Sequence, residues 1–206
     1  MSRRYDQYCP VACTLSLVGE RWALLVVREL LHGPKRYTDL LDHLPGIGTN
    51  ILASRLKELE AGGLVEKRKL PPPAASTVYE LTPTGRELRP VLYELARFGA
   101  RLMGPPRLDE LEEGWLLEAL DLALSPISPP GTLAFRVGGE EASLVDGVVT
   151  PGVSEDADVL VETDAIGFYH LVVNRQAEGV RIDGDAAVLE RLLDAFTPPV
   201  AEPLPA

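Results

Sequence analysis

The chain has 206 residues, 46% of them apolar and 25% charged, and its formal net charge is −11. The apolar share supports a real core and excludes intrinsic disorder, and the length suits one large domain or two small ones. The acidity argues against a nucleic-acid binder only until the chain is divided at Met103: residues 1–103 carry 15 Lys and Arg against 11 Asp and Glu, and residues 104–206 carry 5 against 20, so a mildly basic domain joins a strongly acidic one.

The N-terminus, MSRRYDQYCP, has no apolar segment behind its basic residues, and no window holds the uncharged run a membrane span needs. A cytoplasmic protein with no membrane partner is expected. Residues 9–18, CPVACTLSLV, read as a short helix with Pro10 near its start. Cys9 and Cys13 lie four apart on it. That spacing is not a zinc knuckle, no His or Cys cluster stands nearby, and a structural disulfide does not suit the compartment. No metal or cofactor is expected.

Gly19 interrupts, and residues 20–31 predict a second helix with Trp22, Leu25, Val26 and Leu30 inward, ended by Gly33-Pro34. Residues 37–44 predict a third, with Tyr37, Leu40, Leu41 and Leu44 for burial. Pro45 to Gly48 is a tight turn. The stretch 48–63, GTNILASRLKELEAGG, then places Leu52, Leu56 and Leu59 on one apolar stripe, with Thr49 as N-cap and Gly62-Gly63 as the stop. Its other face carries Asn50, Ala53, Ser54 and Lys57. Small residues allow close approach to base edges, and Asn and Lys can reach them. Helix, Gly-containing turn and amphipathic helix form a helix-turn-helix arrangement.

Residues 64–69, LVEKRK, and Thr77–Leu81 predict a β-hairpin wing joined by a Pro-rich turn at 70–76. Lys67, Arg68 and Lys69 are placed either to meet phosphates or to guard an edge strand with charge; beside an inserting helix, phosphate contact is the better reading. Residues 84–103 read as one long amphipathic helix with Leu88, Val91, Leu92, Leu95, Phe98 and Leu102 on its apolar face. The face exceeds what a small domain needs, and a partner subunit is its natural cover.

The run CPVACTLSLVGERWALLVVRELLHGPKRYTDLLDHLPGIGTNILASRLKELEAGGLVEKRKL, followed by VYELTPTGREL, resembles the HxlR-type winged-helix transcription regulators, relatives of the MarR group. The resemblance covers residues 8–99. It implies a homodimer in which the first and last helices of this domain pair, with two recognition helices entering successive major grooves of near-palindromic, double-stranded operator DNA. It makes Thr49, Asn50, Ser54 and Lys57 the readers. Arg36 and Tyr37 open the bracing helix and could touch phosphates, though Tyr37 fits the core better. Arg55, beside the leucine stripe, either bridges to a phosphate or braces the fold. Many relatives carry Arg at the wing tip; here the tip is uncharged, and the wing is expected to act through its basic strand. Cys9 matches a redox-sensing thiol of some relatives, at a helix N-terminus that favours thiolate; the competing reading is a small buried hydrophobe.

Residues 104–107 are a linker by composition, and the DNA-binding and dimerisation domain is taken as 1–103, with a second domain over 108–198. Residues 108–124 predict a helix broken by SPISPP. TLAFRV then alternates as a strand; Gly138-Gly139 turns, residues 142–145 return, and Asp146-Gly147 marks a hairpin. Residues 148–150 and 158–162 add strands, Asp164 caps a helix to Val173, residues 180–182 are extended, Asp185 caps a last helix to Phe196, and the tail is loose. The fold class is therefore a mainly α winged helix-turn-helix followed by an α+β domain, an antiparallel sheet with helices on one side. Residues 131–196, with ADVLVET and VRIDGDAAVLERLL, resemble the sterol-carrier-protein-like fold, which implies an apolar tunnel that Phe135, Phe168, Tyr169, Leu171 and Val172 would line, unless they fill a closed core or a dimer surface. His170 has no visible ligand partners.

No enzyme signature is present: no Gly-x-Ser-x-Gly, phosphate loop, dinucleotide fingerprint or paired His–Glu set. The expected function is a non-enzymatic, dimeric DNA-binding regulator whose second domain either binds a small apolar effector or extends the dimer. The alternative is a winged helix reused as a protein-interaction frame beside a hydrophobic-ligand carrier or catalyst.

Overall fold

The computed structural model describes residues 5–71, 75–100, 102, 104–111, 114–123 and 131–196. The middle of the wing tip (72–74), Met103, the SPISPP break and the tail lie outside the described residues. The chain divides into two compact units, Met1–Leu92 and Tyr93–Ala206.

In the first unit the order is α1 (Pro10–Val18), α2 (Ala23–Leu31), α3 (Tyr37–Asp42), α4 (Thr49–Ala61), β1 (Val65–Lys69), β2 (Thr77–Leu81) and α5 (Pro83–Arg86); α6 (Arg89–Ala100) crosses the division. Pro10 opens α1, where its missing N–H costs nothing. The second helix starts later than expected. Trp22 sits in the left-handed region at φ 77° and precedes it, so Ala23, Val26, Val27 and Leu30 make the buried face and Leu25 is exposed. The N-cap of α4 is Gly48, in extended backbone, and Thr49 is the first helical residue, so Thr49 does not cap.

Leu52, Leu56 and Leu59 of α4 are at most 1% exposed and share a core with Val26, Val27, Leu40, Leu44 and Leu81. At roughly 1.5–3 kcal/mol for each buried leucine, this stripe holds α4 in place. β1 and β2 pair antiparallel, from Val65 opposite Leu81 to Lys69 opposite Thr77. Lys35 adds an isolated bridge to β2 that the sequence pattern did not predict. Its N–H donates to the Tyr79 carbonyl at 3.0 Å and its carbonyl accepts from the Tyr79 N–H at 2.8 Å.

The single helix expected over 84–103 is two. α5 ends at Arg86 and α6 begins at Arg89, with Pro90 in its first turn, where proline is tolerated; within a continuous helix its ring would meet the carbonyl four residues back. Gly85 belongs to the same joint: a Cβ there would stand 2.0 Å from the Leu64 carbonyl oxygen, so the turn can press on Leu64 only with glycine.

In the second unit, a short 3-10 turn (Leu108–Glu110) and Gly114 at φ 90° precede α7 (Trp115–Ala123), so the helix expected from 108 starts at Trp115. Then follow β3 (Thr132–Val137), β4 (Glu140–Val145), β5 (Val148–Pro151), β6 (Val159–Thr163), α8 (Ala165–Asn174), β7 (Arg181–Gly184) and α9 (Ala186–Ala195). Asp146 and Gly147 both have positive φ, 49° and 78°, as a two-residue hairpin turn requires. The Asp164 carboxylate accepts from the Gly167 N–H at 2.7 Å and Asp185 from the Ala187 N–H at 3.0 Å, capping α8 and α9 as predicted.

The sheet order is β5-β4-β3-β6-β7. It is mixed rather than antiparallel throughout, because β3 and β6 run parallel at its centre. Chain 152–158 returns from the β5 edge to the middle, and the Ser143 hydroxyl holds it by donating to the Gly152 carbonyl and accepting from the Ser154 N–H, both at 2.8 Å. Leu133, Phe135 and Val137 face a core completed by α7, α8 and α9. On the opposite face Glu141, Arg136, Glu162 and Arg181 alternate in charge across β4, β3, β6 and β7, with Arg136 Nε 2.9 Å from Glu141 Oε1 and Arg181 Nη1 3.2 Å from Glu162 Oε2.

Candidate nucleic-acid interface

The leucine stripe turns the opposite side of α4 to solvent. Thr49, Asn50, Ala53 and Lys57 are exposed and Ser54 is half-buried. The Ser54 hydroxyl donates to Glu58 Oε1 at 3.0 Å, so it presents its oxygen only as an acceptor while that bond lasts. Among the described residues Lys57 has no ionic partner. Arg55 is different: its side chain is largely buried, and its guanidinium pairs with Glu58 and lies 3.7 Å from Glu20, binding α4 to the approach of α2.

The start of α4 is held by α3. The Tyr37 hydroxyl donates to the Thr49 carbonyl at 2.6 Å, so the ring is half-buried packing and a strut at once. Arg36 is exposed at the head of α3, where its N–H donates to Asp39 Oδ2 at 2.8 Å.

Lys67, Arg68 and Lys69 are all exposed on β1 but are not equivalent. Lys67 Nζ lies 5.2 Å from the centroid of the Tyr79 ring. Arg68 makes a two-pronged pair with Glu80 on β2, Nε to Oε1 at 2.5 Å and Nη2 to Oε2 at 3.0 Å, which holds the Glu80 carboxyl below its ordinary pKa. Lys69 has no ionic partner among the described residues. The wing is thus partly neutralised by its own strand. Glu80→Gln should release Arg68, tighten DNA binding, and steepen the dependence of log K on log salt by about one unit per protomer; an unchanged slope would show that Arg68 reaches no phosphate.

One cluster escaped the sequence reading. Glu29 lies among the apolar residues of α2 and is 5% exposed. Oε1 accepts from Arg28 Nη2 at 2.7 Å; Oε2 lies 3.2 Å from both Lys35 Nζ and His43 Nδ1, and those two nitrogens are 2.7 Å apart. Burial pushes the Glu29 carboxyl up, but Arg28 and Lys35 more than offset it and its pKa lies below the ordinary value. The signal was available: position 29 falls three after Val26 on the buried face, and a carboxylate there demands a cation.

Cys9 is half-buried at the head of α1 and Cys13 is exposed; with Tyr5, Tyr8, Ser16 and Leu17 they line an open hollow of about 650 Å³. In the second unit Phe135, Phe168, Leu171 and Val172 are packed in the core, where Phe168 meets Phe135 and Trp115 edge-on at 5.9 and 6.1 Å. Tyr169 is half-buried and its ring packs edge-on against His170. Among the described residues no group of three or more His, Cys, Asp or Glu could hold a metal ion, and no single helix is long and apolar enough to cross a membrane.

A family model described as HxlR-like helix-turn-helix matches residues 17–107. An uncharacterised helix-turn-helix-type transcriptional regulator of Synechocystis is 38% identical over 92 residues, 45% of this chain and 68% of that protein. The helix-turn-helix-type transcriptional regulator YodB of Bacillus subtilis is 36% identical over 98 residues, 47% of this chain and 88% of that one. The solved reduced form of YodB is 34% identical and covers 49% of this chain and 100% of its own, with a TM-score of 0.42; YodB is also solved bound to quinone and treated with diamide.

Proposed function

Because the chain belongs to the HxlR-like helix-turn-helix family of transcription regulators, we propose that it acts as a homodimer, with α4 of each copy entering the major groove of a near-palindromic operator. The observation that carries this reading is the two-sidedness of α4, three buried leucines behind an outward row of Thr49, Asn50, Ser54 and Lys57. Arg36 and the β1 cations Lys67, Arg68 and Lys69 serve the phosphates, and Arg55 serves the fold. The faces left open in a single copy, Val11 and Leu15 on α1 and Val91 and Leu95 on α6, suit a second copy as their cover. Their exposure, from 43% to 65%, is high for aliphatic side chains.

YodB has been solved in reduced, quinone-bound and diamide-treated forms, and Cys9, at the head of α1 beside a hollow, is the thiol through which this chain would answer the same reagents. A small apolar effector in a sterol-carrier-like second unit would have to part Phe135, Phe168, Leu171 and Val172, which pack together as core; Cys9 is therefore the better supported input. The setting is cytoplasmic, and no catalytic role is assigned.

The test is a titration of labelled promoter DNA across a salt series. A sequence-preferring complex that weakens as salt rises is expected, with diamide changing the affinity of the wild type and not of Cys9→Ser. Absence of any sequence preference at low salt would overturn the DNA reading and favour the interaction-frame alternative. An equal diamide response in both proteins would remove Cys9.

A further inference from the structure

The buried Glu29 carboxylate joins parts of the first unit that meet DNA separately. Arg28 and Glu29 belong to α2, in the core behind α4. Lys35 is the residue whose backbone pairs with Tyr79, so it carries the inner edge of the wing. His43 is the C-cap of α3, just before the turn that leads into α4. The Lys35 ammonium, 17% exposed, reaches both Glu29 Oε2 and His43 Nδ1. Since the lysine can only donate, His43 Nδ1 accepts in this arrangement and its proton lies on Nε2. Glu29 and His43 therefore hold Lys35 from two sides, and Lys35 holds Tyr79.

We propose that Glu29 is a positioning residue for DNA binding: through Lys35 it fixes the wing relative to the helix-turn-helix, so that the β1 cations and the outward face of α4 are presented together. A buried carboxylate that accepts from a guanidinium at 2.7 Å and pairs with an ammonium at 3.2 Å, the ammonium held in turn by an imidazole, is a stiff joint, because its charge-assisted bonds are shielded from water. Neither Glu29 nor Lys35 reads a base. Their effect is on where Lys67, Arg68 and Lys69 stand. This rests on the DNA-binding reading above for its consequence but not for its mechanics.

The test has an arm that needs no DNA. Amide hydrogen exchange is followed in the full chain for wild type, Glu29→Gln, Lys35→Met and the double variant. Lys35→Met leaves Glu29 paired with Arg28 and so secures a folded variant if Glu29→Gln loses stability. In both single variants the amides at positions 35 and 79 should exchange about tenfold faster or more, while those of Leu56 and Leu59 keep wild-type protection; the double variant should add little to either, the mark of one shared interaction. Unchanged exchange at positions 35 and 79, or uniform acceleration through the unit, overturns the proposal, the second because it makes Glu29 an ordinary stabiliser. With operator DNA the same variants should lose about one unit of salt slope per disengaged wing cation and keep their preference for operator over random sequence. Equal loss of slope and preference would also overturn it. If wild type forms no operator complex, the DNA reading falls, and the exchange arm still decides whether Glu29 positions the wing.

Discussion

Leu56→Ala should lower the stability of the first unit by about 2–5 kcal/mol, against a total of roughly 5–15 for a domain of this size. Leu56 is 1% exposed and sits mid-helix, between Leu52 and Leu59, in the core that α4 shares with α2, α3 and β2. Truncation removes its transfer energy and leaves a cavity that flanking secondary structure cannot close. At about 4–8 °C per kcal/mol, the unfolding midpoint should fall by at least about 8 °C. Where the variant is still folded, it should bind operator with near wild-type affinity, since the outward face is untouched. Asn50→Ala should do the reverse: stability within about 0.5 kcal/mol of wild type, and discrimination at one base position relaxed by about 1–3 kcal/mol. Urea denaturation and operator titration on the two variants separate the inner face from the outer. If Leu56→Ala lost DNA binding at a temperature where it is folded, or Asn50→Ala left specificity intact, the division of labour on α4 would be wrong.

The two faces of α4 were visible in the sequence because they are periodic. Leu52, Leu56 and Leu59 recur at helical spacing, and the wing strands end at Gly, Pro and polar residues that mark turns. The caps Asp164 and Asp185 and the Asp146-Gly147 turn were legible for the same reason, each being a local rule satisfied within a few residues. What failed was of two kinds. Some local signals were outvoted: Pro90 marks the break between α5 and α6, but the apolar repeat running through it suggested one helix. Other features are not local. The parallel β3–β6 pair joins strands separated by a hairpin and a crossing loop, and alternation reveals which face of each strand is buried without revealing its neighbour.

The site followed the same pattern. The exposed side of α4, with Thr49, Asn50 and Lys57, could be placed from its stripe alone. The pairings around them could not, because Arg68 meets Glu80 across 12 residues and Lys35 meets His43 across 8. Charge counting put three cations on β1; the hairpin sets Arg68 opposite Val78 with Glu80 diagonally beside it, so that one of them is answered by a carboxylate on the next strand. Phe135 and Phe168 illustrate a related limit. A sequence marks such residues as buried, but whether they line a cavity or fill it depends on rings brought from another helix, here Trp115 of α7.

Leu95→Asp should turn a dimer into a monomer and weaken operator binding by about 10²–10⁴-fold, the range lost when two linked contacts become one. Leu95 is 46% exposed on α6, one turn from Val91, itself 43% exposed, so the substitution leaves the core of a single copy alone. In a two-fold interface the same patch occurs on both copies, and one substitution places two carboxylates in it. Each would cost several kcal/mol to desolvate without a partner, and every 1.4 kcal/mol is a factor of ten in the dimer constant. Light scattering after size exclusion reads the mass, and a salt titration should show the slope roughly halved, because one copy alone meets half the phosphates. Leu95→Ala, which trims the contact without adding charge, should fall between. A wild type that is monomeric at micromolar concentration, or a Leu95→Asp variant that stays dimeric with full affinity, would move the seam away from α6; a monomeric variant that kept full operator affinity would instead mean that one copy reads the site alone.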